Sequence, residues 1–222
     1  MEDVNDWYTL ILFILNKNQQ GYLAPSKFNL IINEAQNMYQ SFLLGSFQAY
    51  TPGRAVARVE LGQNAVIRQR LAPTIKKALL TIEVGGTCVY PDGYIQSDSM
   101  LTDNNKRIKL VQQDSLYSYL SSTIDPVETN PIYLIEDANF QFYPLTLGEA
   151  KLTYVQKAPA ITWAFTLDVN NRPIYDAGTS VQPVWDSIAK MDIIARALSM
   201  VGVNLQAGAV AQFANQIKAQ GQ

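Results

Sequence analysis

The chain has 222 residues, 48% of them apolar and only 16% charged, with 17 basic against 19 acidic side chains and no histidine. Such a length sets one well-packed domain carrying an insertion as the first expectation, and a formal net charge of −2 excludes global attraction to nucleic acid or anionic lipid. Without histidine, the usual near-neutral general base, the Ser-His-Asp and Cys-His nucleophile systems and the commonest zinc ligand are all missing.

In chain order, Val4, Trp7, Tyr8, Ile11, Ile14 and Leu15 recur at helical spacing and predict a first helix ending near Asn16. Its apolar run, Trp7 to Leu15, is far short of the roughly twenty residues that span a bilayer. Glu2, Asp3 and Asp6 stand where a secretion signal carries basic residues. The expectation is a cytoplasmic, unprocessed product, which the lone Cys88 also suits because it has no internal disulfide partner. Gly21 marks a turn. Ser26 is the predicted N-cap of a second helix whose stripe is Phe28, Ile31, Ile32, Ala35, Met38, Tyr39 and Phe42, closing before Gly45.

Pro52-Gly53 opens a loop, and Gln63 to Leu71 predicts a short helix stopped before Pro73. Between Arg54 and Lys77 six cations face the single acid Glu60, a local charge of +5, and the rest of the chain then carries −7. From Ala78, the alternation of Leu80, Ile82 and Val84 predicts a strand, a two-residue hairpin turn at Gly85-Gly86 and a return strand through Cys88 to Tyr90. Asp92-Gly93 reads as another turn, Ile108 to Val111 as a strand and Ser115 to Leu120 as a helical turn or two. Ile132–Ile135, Phe140–Tyr143 and Leu152–Gln156, separated by turn residues, predict a three-stranded meander.

After Pro159 the chain reads as a loop to Thr179, with Trp163, Phe165 and Tyr175 as anchors. A helix from Pro183 follows, with Val184, Ile188, Met191, Ala195, Leu198 and Val201 as its stripe and Gly202 at its exit. Asn204 then caps a last helix whose thin apolar face is Val210, Phe213 and Ile217. The expected fold is therefore α+β and a single domain over 1–222. Its helical part is 1–75 and 180–222, a bundle formed by the N- and C-terminal helices. A β-rich hairpin-plus-meander insertion fills about 76–160, and 160–180 is an aromatic and proline loop.

No catalytic, cofactor-binding or metal set emerges. Asp186 and Asp192 lie six residues apart, roughly 240° around a helix, so they do not share a face. Asp98 and Asp103 read as solvated residues of a polar loop lacking the glycine and distal glutamate of a calcium site. Gly85-Gly86 lacks the surroundings of a phosphate loop, and Cys88 reads as a buried, inert thiol. An abundance of Gln, Asn, Ser and Thr points instead to surfaces that get covered, since amides and hydroxyls lose less on desolvation than ions do.

The series Asn130-Pro131-Ile132-Tyr133-Leu134-Ile135, Phe140-Gln141-Phe142-Tyr143-Pro144, Tyr154-Val155-Gln156-Lys157-Ala158-Pro159, Pro173-Ile174-Tyr175-Asp176-Ala177-Gly178-Thr179-Ser180-Val181, Trp185-Asp186 and Leu198-Ser199-Met200-Val201-Gly202-Val203-Asn204-Leu205 resembles the ring, or head-to-tail connector, proteins of crAss-like bacteriophages. The likeness spans roughly residues 76 to 218 and rests on order and spacing. It implies a non-enzymatic virion protein, made in the bacterial cytoplasm. In that role it forms a ring, commonly of twelve copies, that contacts the portal and other ring or tail proteins and lines the conduit for genome ejection. A ring needs one patch to meet a different patch on the next copy.

The charge split nominates Arg54, Arg58, Arg68 and Arg70 on one side and Asp125, Glu128, Glu136 and Asp137 on the other, with Trp163 and Tyr175 as contact anchors. The same basic segment could touch passing DNA, although a deep positive trap would oppose sliding. Asn204, Val210, Phe213 and Ile217 are the expected docking face toward the portal or a neighbouring ring. The aromatic loops and the meander also suit a tail-associated carbohydrate-binding module, the principal alternative, and a metal-dependent nuclease or hydrolase is a weaker one.

Overall fold

The structure, a computed structural model, describes residues 3–17, 22–45, 65–121 and 126–202. The protein is α+β, and its chain forms two compact units: a helical one from Met1–Val56 and Ala158–Gln222, and a β unit from Ala57–Lys157. The divisions fall elsewhere than at 76 and 160. The short helix α3 (Ala65–Leu71) belongs to the β unit.

In the helical unit, α1 (Val4–Lys17) buries Val4, Trp7, Tyr8, Ile11 and Leu15, the expected stripe apart from Ile14, which is only half-buried. Asp3 accepts the Asn5 N–H at 2.9 Å, and the Gln182 side chain accepts the Val4 N–H at 2.7 Å, so two free amides of the first turn are satisfied. Helix α2 (Pro25–Gly45) begins one residue before the expected cap: Pro25 takes the first helical position, where its missing N–H costs nothing, and Ser26 lies inside. Its buried face differs too. Gln36 and Gln40 are buried with Phe28, Ile32, Ala35, Tyr39 and Leu43, while Met38 and Phe42 are exposed.

The amides explain that rotation. Trp163 N–H donates to Asn29 Oδ1 (2.8 Å) and Asn29 Nδ2 donates to Trp163 O (3.1 Å). Asn33 repeats the pair with Ile161, at 2.8 and 2.7 Å. Gln36 donates to Pro159 O (3.0 Å), and Gln40 accepts from Ala158 N–H (3.2 Å). A four-residue step on a helix advances about 6 Å, and two residues of extended chain advance about 6.6 Å. A stripe of amides at i, i+4 and i+7 therefore meets alternate residues of a strand-like segment and pairs its backbone as a neighbouring strand would. Trp185 closes the ladder by donating its indole N–H to Gln36 Oε1 (2.9 Å) while its ring meets Tyr39 edge-on.

Helix α5 (Ser187–Met200), packed on α2, starts later than Pro183 because the Asp186 carboxylate accepts the Ala189 N–H and caps it there. Its buried residues are Ala189, Ile193, Ile194, Ala197 and Leu198; Ile188 and Met191 of the expected stripe are exposed. Gly202 adopts φ 83° at the exit. The stretch read as a loop contains a hairpin, whose two strands are numbered β8 (Phe165–Leu167) and β9 (Pro173–Tyr175) in chain order.

In the β unit, one antiparallel sheet has the order β1–β7–β3, from β1 (Ile75–Thr81), β7 (Glu149–Gln156) and β3 (Tyr94–Thr102). The other has the order β2–β6–β5–β4, from β2 (Thr87–Val89), β6 (Asn139–Tyr143), β5 (Ile132–Ile135) and β4 (Lys109–Leu110), the last running parallel to β5. Leu80, Met100, Leu152 and Tyr154 from the first sheet and Tyr133, Phe140 and Phe142 from the second share one core. Each fully buried phenylalanine there contributes about 1.5–3 kcal/mol. Helix α4 (Gln113–Leu120) brings Leu116 against Ile132 and Leu134, so β5 is buried on both faces.

Two expected β-motifs are corrected. β5 and β6 form the expected hairpin, but both edges of β6 are taken, by β5 and β2, so β7 crosses to the other sheet and no three-stranded meander forms. The Gly85-Gly86 turn exists, with Glu83 N–H bonded to Thr87 O at 2.9 Å, yet β1 and β2 part into different sheets because β1 pairs along its whole length with β7. Strand β3, rich in Ser, Asp and Gln, has weak intrinsic β propensity and is held by its pairing with β7.

Asn33→Ala leaves the amide and carbonyl of the buried Ile161 unpartnered and is expected to lower the unfolding free energy by about 1–3 kcal/mol. Asn37→Ala, whose side chain makes none of the ladder bonds, should stay within about 0.5 kcal/mol. Tryptophan fluorescence in guanidinium chloride reads both, since Trp7, Trp163 and Trp185 all lie in the helical unit. Gly86 has φ 78°, and a Cβ there would sit 2.5 Å from Phe142 O. Gly86→Ala is therefore expected to cost the β unit about 2 kcal/mol or more, read by thermal unfolding in far-UV circular dichroism.

Candidate functional site

Arg54, Arg58, Asp125, Asn204, Val210, Phe213 and Ile217 lie outside the described residues. Of the remaining nominated cations, Arg68 is committed within its own unit. Its guanidinium grips Asp98 with two bonds, Nη1 to Oδ1 at 2.9 Å and Nη2 to Oδ2 at 2.6 Å, and the Asp98 side chain is only 7% exposed. Asp98 is thus no solvated loop residue: it sits on β3 and pins α3 to the sheet. Asp103 lies at the turn after β3, near Lys151 Nζ at 3.4 Å. Arg70 is half-buried in the last turn of α3. Lys76 and Lys77 are exposed on β1.

On the acidic side, Glu128 is exposed in the turn before β5, and Glu136 and Asp137 are exposed in the β5–β6 turn. That turn is braced by a bond between Glu136 N–H and Asn139 O at 2.9 Å and by the Tyr90 hydroxyl donating to Glu136 O. Burial, then the neighbouring Tyr94 ring and the Asp137 and Glu136 charges, raise the Tyr90 pKa. Cys88 is buried, and desolvation followed by the Glu83 charge pushes its thiol pKa up, away from the reactive thiolate.

The two aromatic anchors part company. Trp163 is 4% exposed, stacks with Phe165 (5.9 Å) and with Tyr175 (5.5 Å), and donates its indole N–H to Asn5 Oδ1 at 3.1 Å. With the Tyr8, Phe165 and Tyr175 rings packed against it, it holds the unit together and lines the neighbouring cleft while leaving little of its ring open. Tyr175 is half-buried and borders a cleft of about 570 Å³ between α1 and the β8–β9 hairpin, within the roughly 300–1,000 Å³ usual for binding clefts.

Asn5, Thr9, Tyr22, Asn171 and Arg172 supply the cleft's polar groups, and Leu12 part of its apolar wall. Tyr8, at its base, donates to Leu23 O at 2.8 Å; burial and then the adjacent Tyr22 hydroxyl raise its pKa far above the ordinary phenol range. No sequence motif marks this cleft; only the tight Asp168–Arg172 turn could have pointed to a hairpin presenting Arg172. Asp168 Oδ1 accepts the Asn170 and Arg172 N–H groups there, at 2.7 and 2.8 Å. Asp176 makes a second such turn with Gly178 and Thr179, and its bond from the Thr179 hydroxyl, then that from Gly178, lowers its pKa.

Among the described residues, no three His, Cys, Asp or Glu side chains cluster as a metal site would require, and no helix is long and apolar enough to cross a membrane. No family model matches the chain, and no curated protein matches it either.

The Arg68–Asp98 pair makes an asymmetric expectation. Arg68→Met strands a nearly buried carboxylate and should cost about 1–3 kcal/mol, whereas Asp98→Asn leaves an Arg68 side chain that is 41% exposed and should cost less. Chemical denaturation of both variants checks the order.

Proposed function

We propose that this chain is a structural subunit of a phage virion, forming a ring in the portal–tail connector that joins capsid to tail and lines the DNA conduit. Its work is mechanical, with no bond made or broken. The finer architecture we take is a bundle built from both chain ends and carrying the β-rich segment as an insertion. Twelve copies, contact with the portal and other ring or tail proteins, and transient non-specific contact with passing DNA follow from the family resemblance.

The observation that carries this reading is the kind of surface the molecule presents. Large apolar side chains stand exposed on every major element of the helical unit, among them Phe13 (62%), Leu30 (73%), Val169 (98%) and Ile188 (62%). The chain carries only 16% charged residues, so little else competes to keep these surfaces in water. Exposed apolar side chains that join into contiguous patches mark surfaces that get covered by partners, and we read these as parts of such patches. With Arg68 engaged by Asp98, the proposed basic side of the subunit contact reduces to Arg54, Arg58 and Arg70. The proposed acidic side keeps Asp125, Glu128, Glu136 and Asp137. Residues 204–222, with Val210, Phe213 and Ile217 as their apolar positions, are the proposed docking segment toward the portal or an adjoining ring.

A carbohydrate-binding tail module draws support from the cleft, which the 65% exposed Tyr22 lines together with Asn171 and Arg172. Glycan-array binding by the purified monomer would favour it.

Mass spectrometry of purified particles tests the main reading. The protein is expected as a stoichiometric virion component, and its absence from particles would remove the proposal. Deleting residues 206–222 is expected to leave a folded subunit that fails to enter particles, assayed by co-sedimentation.

A further inference from the structure

Among the outer strands of the described residues, β1 and β8 each present an open edge. β1 is the outer strand of its sheet, and its far edge has no partner there. The Ile82 N–H donates to Gly148 O in the same register, so alternate residues face β7 and Lys77 and Leu79 turn their backbone N–H and C=O outward. β8 pairs only with β9. Bonds from Asp168 N–H to Arg172 O and from Asp176 N–H to Ala164 O place Phe165 and Leu167 likewise with their backbone groups outward. On the opposite side of the hairpin, Pro173 and Tyr175 face the cleft against α1, and Pro173 has no N–H to leave unpaired.

We propose that β8 of one copy adds antiparallel to the open edge of β1 in the next copy. The β8–β9 hairpin and the β1–β7–β3 sheet then become one sheet of five strands across the subunit boundary. This rests on the ring reading above and names the contact that would build the ring.

Three observations support it. A two-stranded hairpin alone is marginal in water, and this one leaves Phe165 (40%), Leu167 (59%) and Ile174 (53%) exposed. The outward backbone groups coincide when Leu79 lies opposite Phe165 and Lys77 opposite Leu167, which pairs the 60% exposed Leu79 with an aromatic ring and Lys77 with an apolar neighbour. The same register sets Lys76 across from Asp168, a cation against an anion. A one-residue slip turns the backbone groups away from each other, and a two-residue slip loses the Lys76–Asp168 match. Because the two edges belong to different patches, the contact is heterologous, as ring closure requires.

Leu79→Cys combined with Phe165→Cys tests the register directly. Residues directly opposite at such a position have Cα atoms about 5.5 Å apart, a span a disulfide bridges. Mild oxidation should give a ladder of covalent oligomers from the double variant and none from either single variant; the native Cys88 is buried. Leu167→Pro removes one outward N–H without breaking a hairpin bond and should reduce assembly at least tenfold in concentration while the tryptophan fluorescence of the monomer stays native.

If the unaltered chain forms rings but the double-cysteine variant gives no ladder, or Leu167→Pro assembles normally, this contact is wrong and the ring reading stands. If the unaltered chain stays monomeric at every concentration and is absent from particles, the ring reading falls and takes the contact with it.

Discussion

The helical unit depends on the amide ladder that Asn29, Asn33, Gln36 and Gln40 present to the segment Ala158–Trp163. An extended segment lying on a helix has no neighbouring strand to satisfy its amides and carbonyls, and each buried group left unpaired costs on the order of 1–3 kcal/mol. Here side chains stand in for the absent strand. The match between helical and extended rise lets four amides on one helical face do this without distorting either partner. Once the segment is held, Trp163 is fixed in its aromatic stack, Trp185 is fixed over Tyr39, and the hairpin that follows Trp163 has a defined starting point.

The β unit obeys a different constraint. Its central strands β6 and β7 have both edges taken within the unit, so the core closes between two small sheets and the outer strands carry the consequences. β1 keeps an open edge bearing two lysines and an exposed leucine. Natural sheets blunt such edges with charge when they must stay single. In the assembly subunit we propose, the same edge takes another copy, with Lys76 set against Asp168. Surfaces low in charge and high in exposed apolar side chains fit a molecule whose final environment is other protein.

Much of this was legible in the sequence. The α1 stripe, the β5–β6 hairpin and the Gly202 exit follow from local periodicity and turn chemistry, which need only neighbouring residues to operate. The phases of α2 and α5 did not, because each helix carries apolar residues on more than one face. On α2, the buried side was chosen by Gln36 and Gln40, whose partners lie more than a hundred residues away. The abundant amides suggested surfaces covered by other subunits, yet four of them are used inside one unit. Strand β3 was hidden by its polar composition, and Asp98 looked solvated because its partner Arg68 precedes it by thirty residues. Trp163 looked like an outward anchor between prolines; its burial depends on Tyr175 and Asn5, which no local pattern could bring to it.

In the reading we propose, these surfaces exist to be covered by identical copies. Mass photometry of the purified full chain across nanomolar to micromolar concentrations tests it most directly. Twelve copies of 24.7 kDa would appear as a particle of about 296 kDa, growing at the expense of monomer as concentration rises. A single 24.7 kDa species at every concentration, both alone and with portal protein added, would contradict the claim.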